Sequence, residues 1–547
     1  MFQHKFFILF IFLLCNSVYV FSQHFFEDKR NISIYLFLDE LANEKIISLN
    51  SAIKPYSKKY ILNKLKTASN KKIDSPQIKE NLNFFLKKYK IYEKEIDNKN
   101  INFDFNNLSA YYKNSESFFL IKPIWGITRS VNSNQSYQHL FGGISAEYTF
   151  KENWSAYAKL IDNTMTHPSA LPDFLTDEYS GNYKLWLNND YSEMNGGIIY
   201  SNNHTSLSII KENIEWGDNY FGSNILSGRA PSFPMIKFYK KINKYIEMNY
   251  LHAWLVSEDI DSSSSYYSSS GNYRAIFREK FLASNLITLN ISKFSKFSFG
   301  NSIIYGDVNG VQLPYLTPFF FYKSIDHSLN HNIENQNSQM FFNLSIRELK
   351  HLHIYSSIFI DEFKKDRIFN DTLNNFISYK IGMKLSNWPF QNISNTLEYN
   401  QTNPMTYKHT VNGTTYESNQ VNLGHYLRDN SKVINYNLSY KFKHRIFFTY
   451  DFCYAIHGEE KEYNAYNDYN PVSVPIIGNK TWDNTTNIFA LNGIIKENIT
   501  ISLKYQISNI QGYDNDDFNA EYYLDLFTPV YFHGKTKTFS INFNIGF

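Results

Sequence analysis

The sequence predicts an all-β transmembrane antiparallel β-barrel of about 16–18 strands, preceded by a small N-terminal helical segment. Three observations predict this fold. Aromatic side chains make up 18% of the 547 residues and charged ones only 19%, and Tyr and Phe at this density favour strands and boundaries between water and apolar surroundings. The apolar period changes from helical to two near Phe118. After the first residues, no apolar run reaches the roughly 18 residues of a membrane-spanning helix, so a membrane protein of this sequence must be a closed barrel.

The charge balance argues against nucleic acid as the main ligand. The chain has 54 Lys+Arg and 51 Asp+Glu, a formal charge of +3, and both signs are scattered along it. A nucleic-acid binder usually gathers a basic excess into stripes. We therefore expect no nucleic-acid partner.

Residues 1–22 are predicted to be a secretory signal peptide. Lys5 precedes the apolar stretch Phe6 to Leu14, and Val20-Phe21-Ser22 provides a cleavage site before Gln23. A lipid-anchored start at Cys15 is the competing interpretation, and it is disfavoured because bulky leucines precede that cysteine. Removal of the signal leaves Cys453 alone, so no intrachain disulfide is expected.

Residues 23–95 are predicted to form a periplasmic helical segment, followed by a polar linker at 96–117. Apolar residues recur every three to four positions from Asn31 to Tyr89, and Ser57 and Ser75-Pro76 provide N-terminal caps. Three short helices fit this pattern. Each has one apolar stripe and a Lys-rich opposite face, so the helices should pack on one another or on a larger body.

Residues 118–547 are predicted to form the barrel. Apolar and polar residues alternate in segments such as Trp154–Leu160 and Ile499–Ile507, and short turns are interspersed with long loops such as the Ser-rich stretch Asp259–Tyr273. The final alternation, from Phe539 to Phe547, resembles the sorting signal of outer-membrane barrels. The expected partners are therefore outer-membrane lipid and the barrel-assembly machinery. A secreted β-sandwich would also satisfy the alternation, although it would not need the closing aromatic residue.

Enzyme signatures are missing from the sequence, and we expect no catalytic residues, no metal and no cofactor. HExxH, CxxC, GxGxxG, P-loop and GxSxG patterns do not occur. His327 and His331 have a spacing that can bind metal on a helix, but the HSLNHN segment is loop-like and polar. A barrel hydrolase that collects Ser, His and an acid from separate strands stays open as an alternative.

Three polar and aromatic segments carry the candidate ligand-binding residues. Rigid Pro/Gly turns that present aromatic rings beside carboxylates, amides and guanidinium groups suit a sugar, because a flat ring covers a pyranose face and the polar groups bind its hydroxyls. The same composition also suits a loop that folds into the barrel and plugs it. The third segment runs from Tyr315 to His327, and the first two hold the candidates Asp162, His167, Glu215, Trp216, Asp218 and Arg229.

Several motifs in order resemble the Wzi-type capsule-assembly proteins of the outer membrane. They are WGDN…ILSGRAPSFP (216–234), LHAW (251–254), YGD…LPYLTPFFFY…DH (305–327), IDEF (360–363) and LEYN…YKH…LGHYLRD (397–429), with FLDELANEKII…IKPYSKKYI near the start. The sequence departs from the commoner pattern at Gly217-Asp218 and at Leu427-Arg428. The resemblance implies an 18-stranded barrel with a periplasmic helical bundle, closed to free conduction.

The function implied by this resemblance is non-enzymatic: a surface lectin that binds capsular or other surface polysaccharide and attaches it to the cell. We expect exposed rings and acids near Trp216 to bind the glycan. The structural alternative for Trp216 is a place in the aromatic belt at the membrane interface. An outer-membrane porin or solute channel is the main alternative for the whole protein, and it would require an open lumen.

Overall fold

The computed structural model describes residues 25–93, 98–105, 108–133, 135–151, 153–178, 180–181, 190–306, 310–329, 335–368, 374–443, 445–461 and 475–547. The predicted signal peptide and His331 lie outside these ranges. Among the described helices, none is both long and apolar enough to cross a membrane.

Eighteen antiparallel strands of the described chain close into a barrel, as the alternation predicts. Each strand pairs with the next in sequence, and the last closes on the first through the register Phe539↔Val131 to Ile545↔Trp125. The strands are β1 Ser117–Val131, β2 Ser136–Phe150, β3 Trp154–Met165, β4 Asp190–Ser201, β5 Thr205–Glu212, β6 Phe233–Lys241, β7 Ile246–Leu255, β8 Lys280–Asn290, β9 Ser295–Gly306, β10 Gln336–Ile346, β11 Leu352–Glu362, β12 Phe376–Ser386, β13 Ile393–Thr402, β14 Ser431–Lys443, β15 Ile446–Gly458, β16 Lys480–Lys496, β17 Ile499–Gly512 and β18 Gly534–Ile545.

The connections are short at one end and long at the other. Turns such as 202–204, 242–245 and 291–294 join strands at the short end, whereas 213–232, 256–279 and 403–430 are long loops. Short periplasmic turns and longer extracellular loops are typical of outer-membrane barrels. Apolar side chains on the outer face stay exposed, among them Leu160, Ile198, Ile209, Ile381, Leu397 and Leu491. An exposed apolar band of this size is stable only when lipid covers it. The protein is therefore an outer-membrane barrel.

Three helices lie where the sequence predicts them: α1 Ile32–Asn43, α2 Lys58–Ser69 and α3 Pro76–Tyr89. The side chains of Ser57 and Ser75 accept hydrogen bonds from the backbone N–H groups of Tyr60 and Ile78, so both predicted caps are confirmed. The apolar stripes of the helices form one shared core. We call residues 25–93 the plug, because the helices and the segments between them pack against the inside and the periplasmic rim of the barrel.

The predicted linker at 96–117 is wrong in part. Strands Asn98–Asp104 and Ser109–Lys113 form a hairpin within it, and the second strand pairs with the start of β1 through Ala110↔Ile121. The reason is that β18 pairs with β1 only from Trp125 onward, so the first residues of β1 have a free edge that another strand can occupy.

Phe547 departs from the predicted alternation. The strand ends at Ile545, and Gly546 adopts φ +98°, a backbone conformation that favours glycine. This turn brings Phe547 to the inside of the barrel wall, where it contacts Phe141 at 5.7 Å between ring centroids and lies under the guanidinium of Arg30 at 4.3 Å. The plug therefore contacts the last strand directly.

The short helix α4 Tyr322–Leu329 occupies the stretch that the sequence suggested was a loop around His327. A further short helix, α5 Ala520–Phe527, lies in the last long loop and packs on β16 and β17.

Candidate functional site

The loop 213–232, which carries four of the predicted site residues, folds into the barrel and meets the plug. Its residues Glu215 and Trp216 pair with Lys54 and Ile53 in a two-stranded antiparallel sheet. The backbone N–H of Gly217 donates to the carbonyl of Ala52 at 2.8 Å. The loop thus descends from the long-loop end while the plug rises from the short-turn end, and the two join inside the lumen.

Trp216 is buried, with 1% of its surface exposed. Its ring packs 6.1 Å from that of Phe341 on β10, within an apolar cluster that joins the loop to the barrel wall. The predicted exposure of this ring is therefore wrong, and so is its alternative place in the aromatic belt. The physical reason is that the adjoining residues Ile214, Ile225 and Leu226 are also apolar and bury together with the indole.

Glu215 lies at the centre of an ionic cluster between loop and plug. Its carboxylate contacts Lys54 Nζ at 2.7 Å and Lys29 Nζ at 3.1 Å, and the side-chain amide of Asn219 donates to it at 3.1 Å. Burial alone would raise the pKa of this carboxyl, but the two neighbouring ammonium groups lower the pKa to about 2. Glu215 is therefore a charged crosslink to the plug.

Asp218 and Arg229 also make structural contacts. The Asp218 carboxylate accepts a hydrogen bond from Asn343 Nδ2 at 2.6 Å and another from the hydroxyl of Ser51. Arg229 donates to the carbonyl of Phe174 at 2.7 Å, which ties loop 213–232 to the segment 166–178 after β3. Both side chains are nearly fully buried.

Three of the predicted residues nevertheless share one internal space. A central cavity of about 310 Å³ lies between α1 and the inward loops, and Glu215, Asp218 and Arg229 line it together with the rings of Tyr35 and Tyr220. The other three candidates lie elsewhere, with Trp216 in the apolar cluster described above. Asp162 is exposed on the outward face of β3 and accepts a hydrogen bond from Ser192 Oγ at 2.5 Å, and His167 is exposed on the following loop. The structure therefore does not unite the six residues in one site.

A serine–histidine pair on β10 and β11 bears on the hydrolase alternative. His353 Nε2 lies 2.9 Å from Ser345 Oγ and 3.8 Å from a carboxylate oxygen of Asp218. The guanidinium of Arg347 faces His353 Nδ1 at 3.0 Å, and because a guanidinium can only donate, Nδ1 must accept and Nε2 must carry the proton. In this arrangement the ring cannot take a proton from Ser345, as a general base in a hydrolase must.

One group of described residues has donor atoms suited to a metal ion: Asp429, His457 and Glu460, with ligand atoms within 4.8 Å of one another. Lys408 lies 3.4 Å from the Asp429 carboxylate, and Arg428 lies 3.4 Å from that of Glu460. These cations already balance the carboxylates, so we assign no metal to the group.

Exposed aromatic rings at the long-loop end form a surface that the sequence analysis missed. In loop 256–279, Tyr266–Tyr267 pairs with Tyr273–Arg274 in a small two-stranded hairpin. Tyr267 is 74% exposed and Tyr273 is 50% exposed, with ring centroids 5.3 Å apart. The hydroxyls of Ser268 and Ser270 and the amide of Asn272 form hydrogen bonds at the tip. We call residues 266–274 the tyrosine hairpin.

The tyrosine hairpin stands on an anchored base. The backbone N–H of Val256 donates to Ser418 Oγ at 3.1 Å, and that of Asn419 donates to the Val256 carbonyl at 3.0 Å, which joins two long loops. The signal in the sequence was the Tyr266-Tyr267 pair inside a Ser-rich loop. Periodicity could not show which rings of this loop face water, because an alternation of apolar and polar residues cannot be recognised in a strand of only two residues.

Comparison with known proteins gives one informative likeness. No family model matches the sequence, and no curated protein matches it. The chain folds like Wzi. The solved structure of Wzi from Escherichia coli aligns with 96% of this chain and 100% of its own, at a TM-score of 0.55 and 11% sequence identity. It is described as an outer membrane protein involved in group 1 capsule assembly and as a carbohydrate-binding β-barrel.

Two further solved barrels align over less of the chain. OccAB2 from Acinetobacter baumannii covers 78% of it and 97% of its own chain, at a TM-score of 0.42 and 9% identity. OprD from Pseudomonas aeruginosa covers 78% of it and 94% of its own chain, at a TM-score of 0.41 and 8% identity. At the level of fold, the predicted resemblance to a Wzi-type barrel is confirmed.

Proposed function

We propose that this protein binds surface polysaccharide and retains it at the cell surface, without covalent chemistry. The observation that carries the proposal is the pair of exposed rings of Tyr267 and Tyr273 at the long-loop end. A flat aromatic ring offers apolar contact to a pyranose face, and its hydroxyl binds water or sugar. Serine hydroxyls and the Asn272 amide beside the rings offer hydrogen bonds to sugar hydroxyls.

The fold likeness supports the same class of function. The solved barrel that aligns with nearly the whole chain is described as carbohydrate-binding. We therefore extend polysaccharide binding to this protein as a proposal, and we place it at the tyrosine hairpin rather than at Trp216, whose ring is buried.

A solute channel is the competing function, and the barrel interior disfavours it. Loop 213–232 and the plug join across the lumen, and Trp216 packs on the wall at Phe341. A channel depends on an open, polar, water-filled path. The joined segments occupy space that such a path would need.

The experiment is a measurement of polysaccharide retained on cells that express a Tyr267→Ala/Tyr273→Ala variant. Since each aromatic contact contributes about 0.5–1.5 kcal/mol, loss of both rings should weaken binding by roughly ten-fold. The matched control is Phe390→Ala, which removes a ring of 69% exposure at the short-turn end. A variant that folds normally and retains glycan as the wild type does would refute the proposal.

A further inference from the structure

A cavity of about 730 Å³ opens inside the barrel at the short-turn end, away from the tyrosine hairpin. It lies between α2 of the plug and strands β5 to β9, and three short turns, 202–204, 242–245 and 291–294, contribute to its rim. Cavities of about 300–1,000 Å³ are the usual size of ligand sites in proteins. We call it the lysine cavity.

The lining is strongly basic. Seven lysines line the cavity, drawn from α2, β6, β9 and two of the turns, against a single acid, Glu247. Apart from Lys59, these lysines form no ion pair with any residue that the structure describes. Lys237 lies 4.7 Å from the ring centre of Phe26, and Lys296 donates to the side-chain oxygen of Asn290. These six ammonium groups therefore have no carboxylate of the described residues in direct ion-pair contact.

The remaining lining suits a sugar. Four tyrosines, Tyr56, Tyr60, Tyr239 and Tyr245, face the cavity together with several asparagines and serines. The side-chain amide of Asn249 is 97% buried in the wall, and its Nδ2 has no hydrogen-bond partner among the described residues. A buried amide donor without a partner costs free energy that a bound acceptor would recover.

We infer that the lysine cavity binds a carboxylate-bearing oligosaccharide on the periplasmic side of the barrel. The ammonium groups come from separate elements around the cavity, so they match a ligand whose negative charges are spread along its length. A compact phosphate needs donors that converge on one point. The barrel wall separates the cavity from the membrane, because the lysines of β6 and β9 that line it point inward.

This site shares its ligand class with the proposed function but not its location. The glycan would meet the protein at both ends of the barrel: at the tyrosine hairpin outside and at the lysine cavity facing the periplasm. The two sites can be removed separately, so failure of one does not imply failure of the other.

The test is calorimetric titration of the full chain in detergent micelles with tetragalacturonate, with neutral maltotetraose as the uncharged probe. The variant is Lys241→Gln/Lys244→Gln/Lys293→Gln, which removes three charges from the cavity and its rim. The control is Lys72→Gln/Lys90→Gln/Lys151→Gln, which removes three exposed charges outside the cavity. We expect tetragalacturonate to bind the wild type and the control alike, and the cavity variant at least ten-fold more weakly.

The salt dependence of binding and the tyrosine-hairpin variant provide two further checks. Affinity of the wild type should fall as NaCl rises, because screening weakens charge pairing, and the Tyr267→Ala/Tyr273→Ala variant should bind tetragalacturonate as the wild type does. Equal weakening in the control variant, equal binding of maltotetraose, or displacement by an equimolar amount of inorganic phosphate would each overturn the proposal. Loss of binding in the tyrosine variant would overturn it too, since binding would then belong to the outer loop.

Discussion

Trp216 fills the centre of the apolar cluster where loop 213–232, the plug and the barrel wall meet. Its indole packs on Phe341, and Ile53 of the plug is its backbone neighbour across the two-stranded sheet. A ring in this place contributes packing rather than contact with a ligand in solution.

We therefore predict that Trp216→Ala lowers the free energy of unfolding by about 3–5 kcal/mol, because a large buried ring leaves a cavity. Polysaccharide retention per folded molecule should stay at the wild-type level. Thermal melting of the purified barrel together with surface glycan measurement checks both points, and Trp216→Phe should restore most of the stability. If the Trp216→Ala variant lost surface polysaccharide while its melting temperature stayed unchanged, the prediction would be contradicted and Trp216 would be a binding residue.

At the same scale, charged residues inside the lumen act as crosslinks. Asp39 of α1 contacts Arg347, in the turn after β10, at 2.7 Å and Lys384, on β12, at 3.0 Å. Removal of one partner of a buried ion pair leaves the other charge buried without compensation, which lowers the free energy of unfolding. These contacts tie α1 to the β10–β12 part of the barrel.

Among the elements, the plug is the one whose removal has the clearest consequence. The helices share their own core, and the strand ladder of the barrel closes without them. Their role at the short-turn end is to occupy space rather than to complete the sheet.

Deletion of residues 25–93 should therefore leave a folded barrel that conducts ions better than the wild type. Planar-bilayer conductance is the measurement, with heat-modifiable migration on a gel as the check that the barrel has formed. The substitution Lys72→Gln, at an exposed position of the plug, is the control and should leave conductance at the wild-type level. Equal conductance of the deletion variant and the wild type would contradict a sealing role.

For the whole molecule, closure of the barrel depends on β18, which pairs with β17 on one side and β1 on the other. Phe547 follows this strand and is buried against Phe141 and Arg30. We predict that Phe547→Asp impairs assembly, because it removes the ring that packs on Phe141 and lies under Arg30 and leaves a cavity there. Phe547→Tyr keeps the ring and serves as the control. A Phe547→Asp protein that reaches the outer membrane as a heat-modifiable barrel in normal yield would contradict the prediction.

The barrel, the helices and the likeness to a Wzi-type fold could be predicted from the sequence because they depend on local pattern. Period-two alternation places one face toward lipid, Ser57 and Ser75 cap helices through residues only three positions away, and the difference between turn and loop lengths separates the two ends. Each of these signals is contained within a few neighbouring residues.

The location of the candidate sites was decided only by the tertiary structure. The sequence of loop 213–232 is equally compatible with an exposed sugar site and with a segment that folds into the barrel. Its pairing with Ile53 and Lys54 shows that it folds into the barrel. The lysine cavity likewise joins residues of α2 to those of β6 and β9, far apart in the chain. The physical reason is that burial and charge neutralisation depend on which distant segments share one enclosed space, whereas periodicity reports only on a segment and its immediate neighbours.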